Sequence, residues 1–116
     1  MNKLDTSING HQFEMSLENN ETARAFDGLL PLDLEMQELN GNEKYYFLAD
    51  PLPSDPKSIG TIEAGDVMLY QDNCIVVFYE SHLTSYKYTP IGKIDDTEGL
   101  IEALGEGSAQ VEFRAI

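Results

Sequence analysis

The chain has 116 residues, with 21 acidic against 7 basic side chains, so its formal net charge is -14. This length fits a single domain over residues 1–116 that folds without disulfides or a metal. The acidic surplus argues against nucleic acid and membrane surfaces as partners, because both present negative charge. With one cysteine, no apolar run of membrane-spanning length and no secretory signal, we expect a cytoplasmic protein.

The first predicted element is a hairpin about Asn9 and Gly10, a favoured two-residue turn because both central positions need positive φ. The predicted pairs are Ile8 with His11, Thr6 with Phe13 and Leu4 with Met15. This pairing puts Leu4, Ile8, Phe13 and Met15 on the inner face, with His11 beside them.

A short helix follows, for which Asn19 or Asn20 is a suitable N-cap and Glu21 a favourable first-turn acid. Its apolar stripe is Ala23, Phe26, Leu29 and Leu30. Gly28 and Pro31 should end the helix after two to three turns, counted from ~3.6 residues per turn.

A second hairpin is predicted about Asn40 and Gly41, because the preceding residues alternate between apolar and polar. The expected pairs are Met36 with Tyr45 and Leu34 with Phe47. Apolar residues would thus face apolar residues across the turn, as in a half-buried pair of strands.

Residues 49–60 contain Pro51, Pro53 and Pro56, so we expect a loop there rather than a central strand. Residues 67–70 and 74–79 predict a third hairpin, whose second strand is apolar on both faces and should be covered on both.

Residues 86–89 predict a further strand that ends at Pro90. Residues 95–97 should cap a second short helix that ends before Gly105, and residues 110–116 predict the last strand. About eight short strands with two short helices, and no strand–helix alternation, indicate a mainly β protein. The pattern favours an antiparallel β-barrel or sandwich.

Candidate chemistry is sparse. His11, His82 and Cys74 match no metal-binding spacing, so we expect no metal site. Cys74 lies in the most apolar strand without a basic neighbour, which predicts an inert thiol. No phosphate or dinucleotide loop is present, so no cofactor is expected. No residue is assigned a catalytic role.

Two polar and aromatic clusters, at residues 40–46 and 79–88, hold five of the six tyrosines. Tyrosine combines a large apolar face with a hydrogen-bonding tip and is common at recognition surfaces, although strands also favour it for packing. The candidate ligand contacts are Asn40, Glu43, Tyr70, Tyr79, His82, Ser85, Tyr86 and Tyr88. The proline-rich loop at residues 49–60 is a candidate rim for this site.

Four runs together carry a resemblance to a known family. They are LNGNEKY at 39–45, AGDVMLY at 64–70, CIVVFY at 74–79 and SYKYTPIGKI at 85–94. The chain resembles the small bacterial and archaeal cyclophilin-like domain family over about residues 6–114. This resemblance implies a closed antiparallel cyclophilin-type β-barrel of about eight strands with two short helices.

True cyclophilins are prolyl isomerases that use an arginine in a groove marked by FHR and FMxQGGD runs. Neither run is present, and Arg24 and Arg114 lack the expected neighbours. We therefore expect no efficient prolyl isomerase activity.

Three readings remain open at this stage. The first is a non-catalytic barrel that binds a small molecule or peptide. The second is an enzyme on the same barrel, a divergent prolyl isomerase or another hydrolase or isomerase, for which Glu43, Glu80 and His82 are the ionisable candidates. The third is an interaction protein that assembles through its strands; the oligomeric state does not follow from the sequence.

Overall fold

The computed structural model describes residues 3–116, and within that range it contains eleven strands and two helices. The strands are β1 (Lys3–Ile8), β2 (His11–Leu17), β3 (Leu32–Leu39), β4 (Glu43–Phe47), β5 (Lys57–Ser58), β6 (Thr61–Ile62), β7 (Asp66–Tyr70), β8 (Cys74–Phe78), β9 (His82–Leu83), β10 (Lys87–Ile94) and β11 (Ala109–Ala115). The helices are α1 (Glu21–Asp27) and α2 (Leu100–Leu104). Neither helix in this range is long and apolar enough to cross a membrane.

Eight strands close into an antiparallel barrel in the order β2-β1-β11-β3-β4-β8-β7-β10. The barrel closes where Gly92, Lys93 and Ile94 of β10 pair with residues of β2. The predicted closed, mainly β barrel with two short helices is confirmed. The two-residue strand β5 adds to one end of β10, and β6 and β9 form a small separate sheet.

The first hairpin has the predicted register, with Asn9 and Gly10 at φ 47° and 88° in its turn. The inward placement of His11 was wrong, because its side chain is exposed whereas the paired Ile8 is fully buried. Ile8 is flanked by a second strand through its pairing with Val111. His11 lies at the hairpin tip, beyond the part of β2 that pairs with β10.

Helix α1 begins as predicted, since the Asn20 side chain accepts a hydrogen bond from the Ala23 N–H at 2.7 Å. Phe26 is buried and its ring lies edge-on to that of Phe113 at 5.1 Å. The placement of Leu29 in the buried stripe was wrong. The helix ends at Asp27, so Leu29 leaves the helical face and remains 42% exposed.

The second hairpin differs from the prediction by one residue. Tyr45 pairs with Gln37 rather than with Met36, because the loop contains Asn42 in addition to Asn40 and Gly41. A shift of one residue moves every side chain of the strand to the opposite face. Hence Tyr45 and its neighbour Phe47 face outward, and Lys44 faces inward.

Strand β10 does not end at Pro90 as expected but continues to Ile94. The register with β7 shifts between Pro90 and Gly92. A proline is tolerated within a strand at such a bulge, since the missing N–H then breaks no ladder bond.

The predicted cap of α2 was also wrong. The helix begins at Leu100 after Gly99, without a side-chain cap, and Asp95 instead accepts hydrogen bonds from Lys3 and Ser16.

Two hydrophobic clusters lie on opposite faces of the sheet. The larger fills the barrel and includes Val67, Leu69, Ile75 and Val77. The alternating residues Met68 of β7 and Cys74, Val76 and Phe78 of β8 form an outer cluster together with Ile62 of β6 and Tyr88 of β10. Strand β8 is therefore buried on both faces, as predicted.

Candidate ligand-binding site

A pocket of about 340 Å³ lies on the outer face of the barrel, beside the outer cluster. The register of β4 builds one wall of the pocket beside β8, because Glu43, Tyr45 and Phe47 lie opposite Phe78, Val76 and Cys74 on the same face. The pocket is lined by Leu39, Asn40, Glu43, Tyr45, Phe47, Tyr70, Cys74, Val76, Tyr86 and Tyr88. These residues come from β3, β4, β7, β8, β10 and the segments that precede β4 and β10.

Aromatic rings form two of the pocket walls. On one side, the rings of Tyr45 and Phe47 pack edge-on at 5.6 Å. On the other side, the centre of the Tyr70 ring lies 5.9 Å from the centre of the Tyr86 ring and 5.6 Å from that of Tyr88. Phe47 and Tyr86 are 58% and 61% exposed, so apolar surface is presented at the mouth. Exposed aromatic surface around a concave site is typical of ligand-binding clefts.

Within residues 3–116, Glu43 is the only acidic residue that lines this pocket. It is 9% exposed, and none of the donors of residues 3–116 bonds to its carboxylate. Burial raises the pKa of Glu43, a nearby His82 lowers it, and Glu38 raises it slightly further. The carboxylate is nearly buried, has no protein donor and reaches solvent at its oxygens, so it favours a ligand that supplies a hydrogen bond or positive charge.

Cys74 lines the pocket floor, but its thiol is unreactive. Burial, reinforced by the charge of Glu43, raises the pKa of the thiol to about 11. The thiolate is the nucleophilic form, so at neutral pH the group is inert, as the apolar strand predicted.

The structure brings five of the eight candidate residues together in this pocket, namely Asn40, Glu43, Tyr70, Tyr86 and Tyr88. The other three lie outside it. The centre of the His82 ring lies 5.5 Å from that of Phe78. Its Nδ1 lies 2.9 Å from the Glu80 carbonyl oxygen. Ser85 is exposed in the segment between β9 and β10.

Tyr79 belongs to a different constellation, at the barrel end near α2. Its hydroxyl donates to Glu38 Oε1 at 2.7 Å, and burial together with this carboxylate raises the pKa of Tyr79 to about 12. Lys44 Nζ, fully buried, donates to Glu38 Oε1 and to the carbonyls of Gly105 and Gly107. All three protons of the ammonium therefore have acceptors, and the group ties β3 and β4 to the loop after α2.

Several lining residues were missed by sequence reasoning. Tyr45 and Phe47 were paired with the apolar Met36 and Leu34 and so were not counted among the ligand contacts, and Leu39 and Val76 carry no polar signal. The one clue was Asn42, which makes a three-residue loop as plausible as a two-residue one.

The proposed rim role of residues 49–60 was wrong, since no residue of this loop lines the pocket. Pro53, Ser54 and Asp55 instead line a separate cavity with the start of α1. There, the Thr22 hydroxyl donates to the Pro53 carbonyl at 2.5 Å, and the loop is thereby held against the helix.

The pocket offers one carboxylate, one amide and several phenols, and its lining contains no arginine, lysine or histidine. Arg24 is exposed on α1 and bonds to Asn19, while Arg114 on β11 pairs with Asp33 and Glu112. No group of three or more His, Cys, Asp or Glu suited to a metal occurs within residues 3–116. The arrangement is suited to recognising a ligand through aromatic contact and one charge.

Comparisons with known proteins identify the family. The model of the Cyclophilin-like family matches residues 6–114, and the chain therefore belongs to that family. The solved solution structure of a hypothetical protein from Archaeoglobus fulgidus is similar, with a TM-score of 0.54 over 99% of this chain and 95% of that chain. The sequence identity is 17%, so this likeness concerns the fold alone. A search of curated proteins found no match.

Proposed function

We propose that this member of the cyclophilin-like family is a non-catalytic binding barrel, which holds a small molecule or a short peptide side chain in the tyrosine-lined pocket. The observation that carries the proposal is the outward register of β4. This register turns Tyr45 and Phe47 toward solvent rather than into the core, opposite Tyr70 and Tyr88. Aromatic side chains left at a concave surface are stabilised by an occupant that covers them.

The packing of the strands beneath the pocket also supports a binding role. The pocket floor is the fully buried strand β8, and the wall residue Tyr88 is itself anchored edge-on against Phe78 at 5.5 Å. A pocket built on packed strands is preformed, so a ligand loses little free energy to reorganisation of the protein.

The pocket predicts that aromatic fragments raise the thermal unfolding temperature of the native chain, and that Tyr86→Ala removes most of this stabilisation. Tyr86 is mostly exposed, so its truncation should leave the fold intact while it removes one wall. We expect fragment affinity to fall about tenfold, the loss typical of an aromatic contact of ~1–2 kcal/mol. The measurement is a thermal-shift screen followed by titration calorimetry.

Leu83→Ala is the matched control for this screen. Leu83 is an apolar side chain that is 81% exposed and does not line the pocket. Binding that weakens equally in both variants, or a library in which no fragment stabilises the native chain, contradicts the binding proposal.

The alternative is an enzyme on the same barrel, and the residue that favours it is Glu43, a buried carboxylate with a raised pKa inside a cleft. For prolyl isomerisation the site lacks an arginine, so we expect turnover of Xaa-Pro peptides no faster than the uncatalysed exchange. A protease-coupled isomerase assay checks this. Catalysis that disappears in Glu43→Gln would instead favour the enzyme.

We also propose that the protein acts in the cytoplasm. The single free and buried Cys74 supports this setting, because disulfides are rare in that compartment.

A further inference from the structure

We propose that the occupant of the pocket is a small organic cation, an ammonium group carried on a hydrocarbon or aromatic body, with Glu43 as its counter-ion and the tyrosine rings as its walls. This inference rests on the proposed binding function and specifies the chemical class of the ligand.

The first argument is the charge of the lining. Among the described residues, Glu43 is the only lining side chain that is charged at neutral pH, and the imidazole of His82, which acts on it, lies outside the lining. Its carboxylate receives no hydrogen bond from residues 3–116, although the side chain is nearly buried. The carboxylate oxygens of Glu43 still reach solvent, so a ligand ammonium would replace water as their donor. A charge-assisted hydrogen bond to a carboxylate is about twice as strong as a neutral one.

The second argument is the aromatic enclosure. Tyr45 and Phe47 on one side, and Tyr70, Tyr86 and Tyr88 on the other, surround the same space as Glu43. The face of an aromatic ring carries partial negative charge and attracts cations within about 6 Å of its centre. Rings also replace part of the water that an ammonium loses on entry, so the desolvation cost of the ion pair is offset.

Anions and metal ions suit this pocket less well than an organic cation. The whole chain carries a net charge of -14, which raises the local concentration of cations and repels anions. A metal ion of the Ca²⁺ or Mg²⁺ type needs several oxygen ligands, and the pocket offers one carboxylate with one amide. An organic cation needs only one counter-ion and an apolar wall.

Three probes of nearly equal size test the inference: phenethylammonium, phenethyl alcohol and phenylacetate. They share the phenyl ring and differ in charge, and calorimetric titration gives a dissociation constant for each. We expect phenethylammonium to bind at least about tenfold more tightly than the alcohol, with phenylacetate the weakest. Added salt should reduce this ratio only slightly, because a nearly buried charge is screened much less than an exposed one.

The variant Glu43→Gln keeps the volume of the side chain and removes its charge. In this variant we expect the affinities for phenethylammonium and phenethyl alcohol to agree within about threefold. Glu102→Gln is the control, since Glu102 is exposed on α2 and its loss changes the net charge by the same amount. The control should keep the full preference for the ammonium.

The outcomes separate this inference from the binding function. If the native chain binds the three probes equally well, the ligand is not selected as a cation and the inference is overturned. If Tyr86→Ala also weakens the binding of each probe, the proposed binding function is still supported. A preference for phenylacetate, or an ammonium preference that survives in Glu43→Gln, also overturns the inference. A capped lysine that matches phenethylammonium in affinity supports the cation and identifies a peptide side chain as its source. Weaker binding of the capped lysine supports a free amine.

Discussion

Lys44→Met should lower the free energy of unfolding by about 3 kcal/mol, because it removes one partner of a buried ion pair and leaves the other groups without donors. Lys44 is fully buried, and its Nζ lies 2.9 Å from Glu38 Oε1, 2.9 Å from the Gly105 carbonyl oxygen and 2.6 Å from that of Gly107. Methionine fills the same volume with no hydrogen-bond donor. Chemical denaturation with urea measures the loss.

The same variant should change how stability depends on pH. Burial alone would raise the pKa of Glu38, but hydrogen bonds from Lys44, Tyr79 and the Gly41 N–H bring it below the usual 4.5. A carboxyl whose pKa is lower in the folded state stabilises the fold above its unfolded pKa, and this contribution is lost as the pH falls through the folded pKa. The acid-induced loss of stability below about pH 4.5 should therefore be smaller in Lys44→Met.

Lys93→Met is the control for this prediction. Lys93 Nζ lies 2.9 Å from Glu63 and 3.7 Å from Asp66, but the side chains of Lys93 and Glu63 are 44% and 67% exposed to water. Exposed pairs contribute about 0–1 kcal/mol, so the control should change stability little. A loss of less than about 1 kcal/mol in Lys44→Met, equal to that of the control, would contradict the structural role of the buried ammonium.

Gly92→Ala should lower the free energy of unfolding by about 3 kcal/mol, as much as Lys44→Met, because Gly92 lies where β10 pairs with β2 and closes the barrel. A Cβ at this position would collide with the backbone carbonyl oxygen of Ser16 and lie 2.8 Å from Met15 Cε. Gly92 pairs with Leu17 on one side and Val67 on the other, so it cannot move away from one strand without disturbing the next. Thermal and urea unfolding, monitored by circular dichroism, measure the effect.

Gly28→Ala provides the comparison for the seam. Gly28 has helical φ and ψ of -68° and -14°, and a Cβ there would meet its nearest atom at 3.4 Å. We expect this variant to lie within about 0.5 kcal/mol of the native chain. If Gly92→Ala proves as stable as Gly28→Ala, then β2 and β10 are not in the close contact described.

The barrel followed from signals that are local in the sequence. At Asn9 and Gly10 the turn preference and the alternation of apolar residues both favour the same register, and the hairpin has that register. The continuous apolar sequence of β8 predicted that both of its faces are covered, and all five residues are buried. The cap at Asn20 was equally local, because donor and acceptor lie within one helical turn.

The pocket depends on the length of the loop between β3 and β4, which the local sequence does not determine. Loops of two and three residues both suit Asn40 and Gly41, and matching apolar residues across the turn favoured the wrong one. The true register is stabilised by Lys44, whose acceptors Gly105 and Gly107 lie about sixty positions away in the sequence. Backbone carbonyls carry no side-chain signal, so the burial of a lysine was not foreseeable.

The two-residue strands β5, β6 and β9 also escaped prediction. Such short strands are held by tertiary contacts rather than by their own residue pattern. The ring of His82 in β9 reaches Phe78 of the outer cluster, and Ile62 of β6 is fully buried in it.

The most direct test of the binding pocket is a titration with phenethyl alcohol followed by proton–nitrogen correlation spectra. This probe is neutral, so the result does not depend on the charge of the ligand. The account predicts saturable shift changes confined to residues 39–47, 70–76 and 86–88, which hold the pocket lining. Shift changes centred on the cavity between α1 and residues 53–57, or no saturable change at any residue, would contradict it.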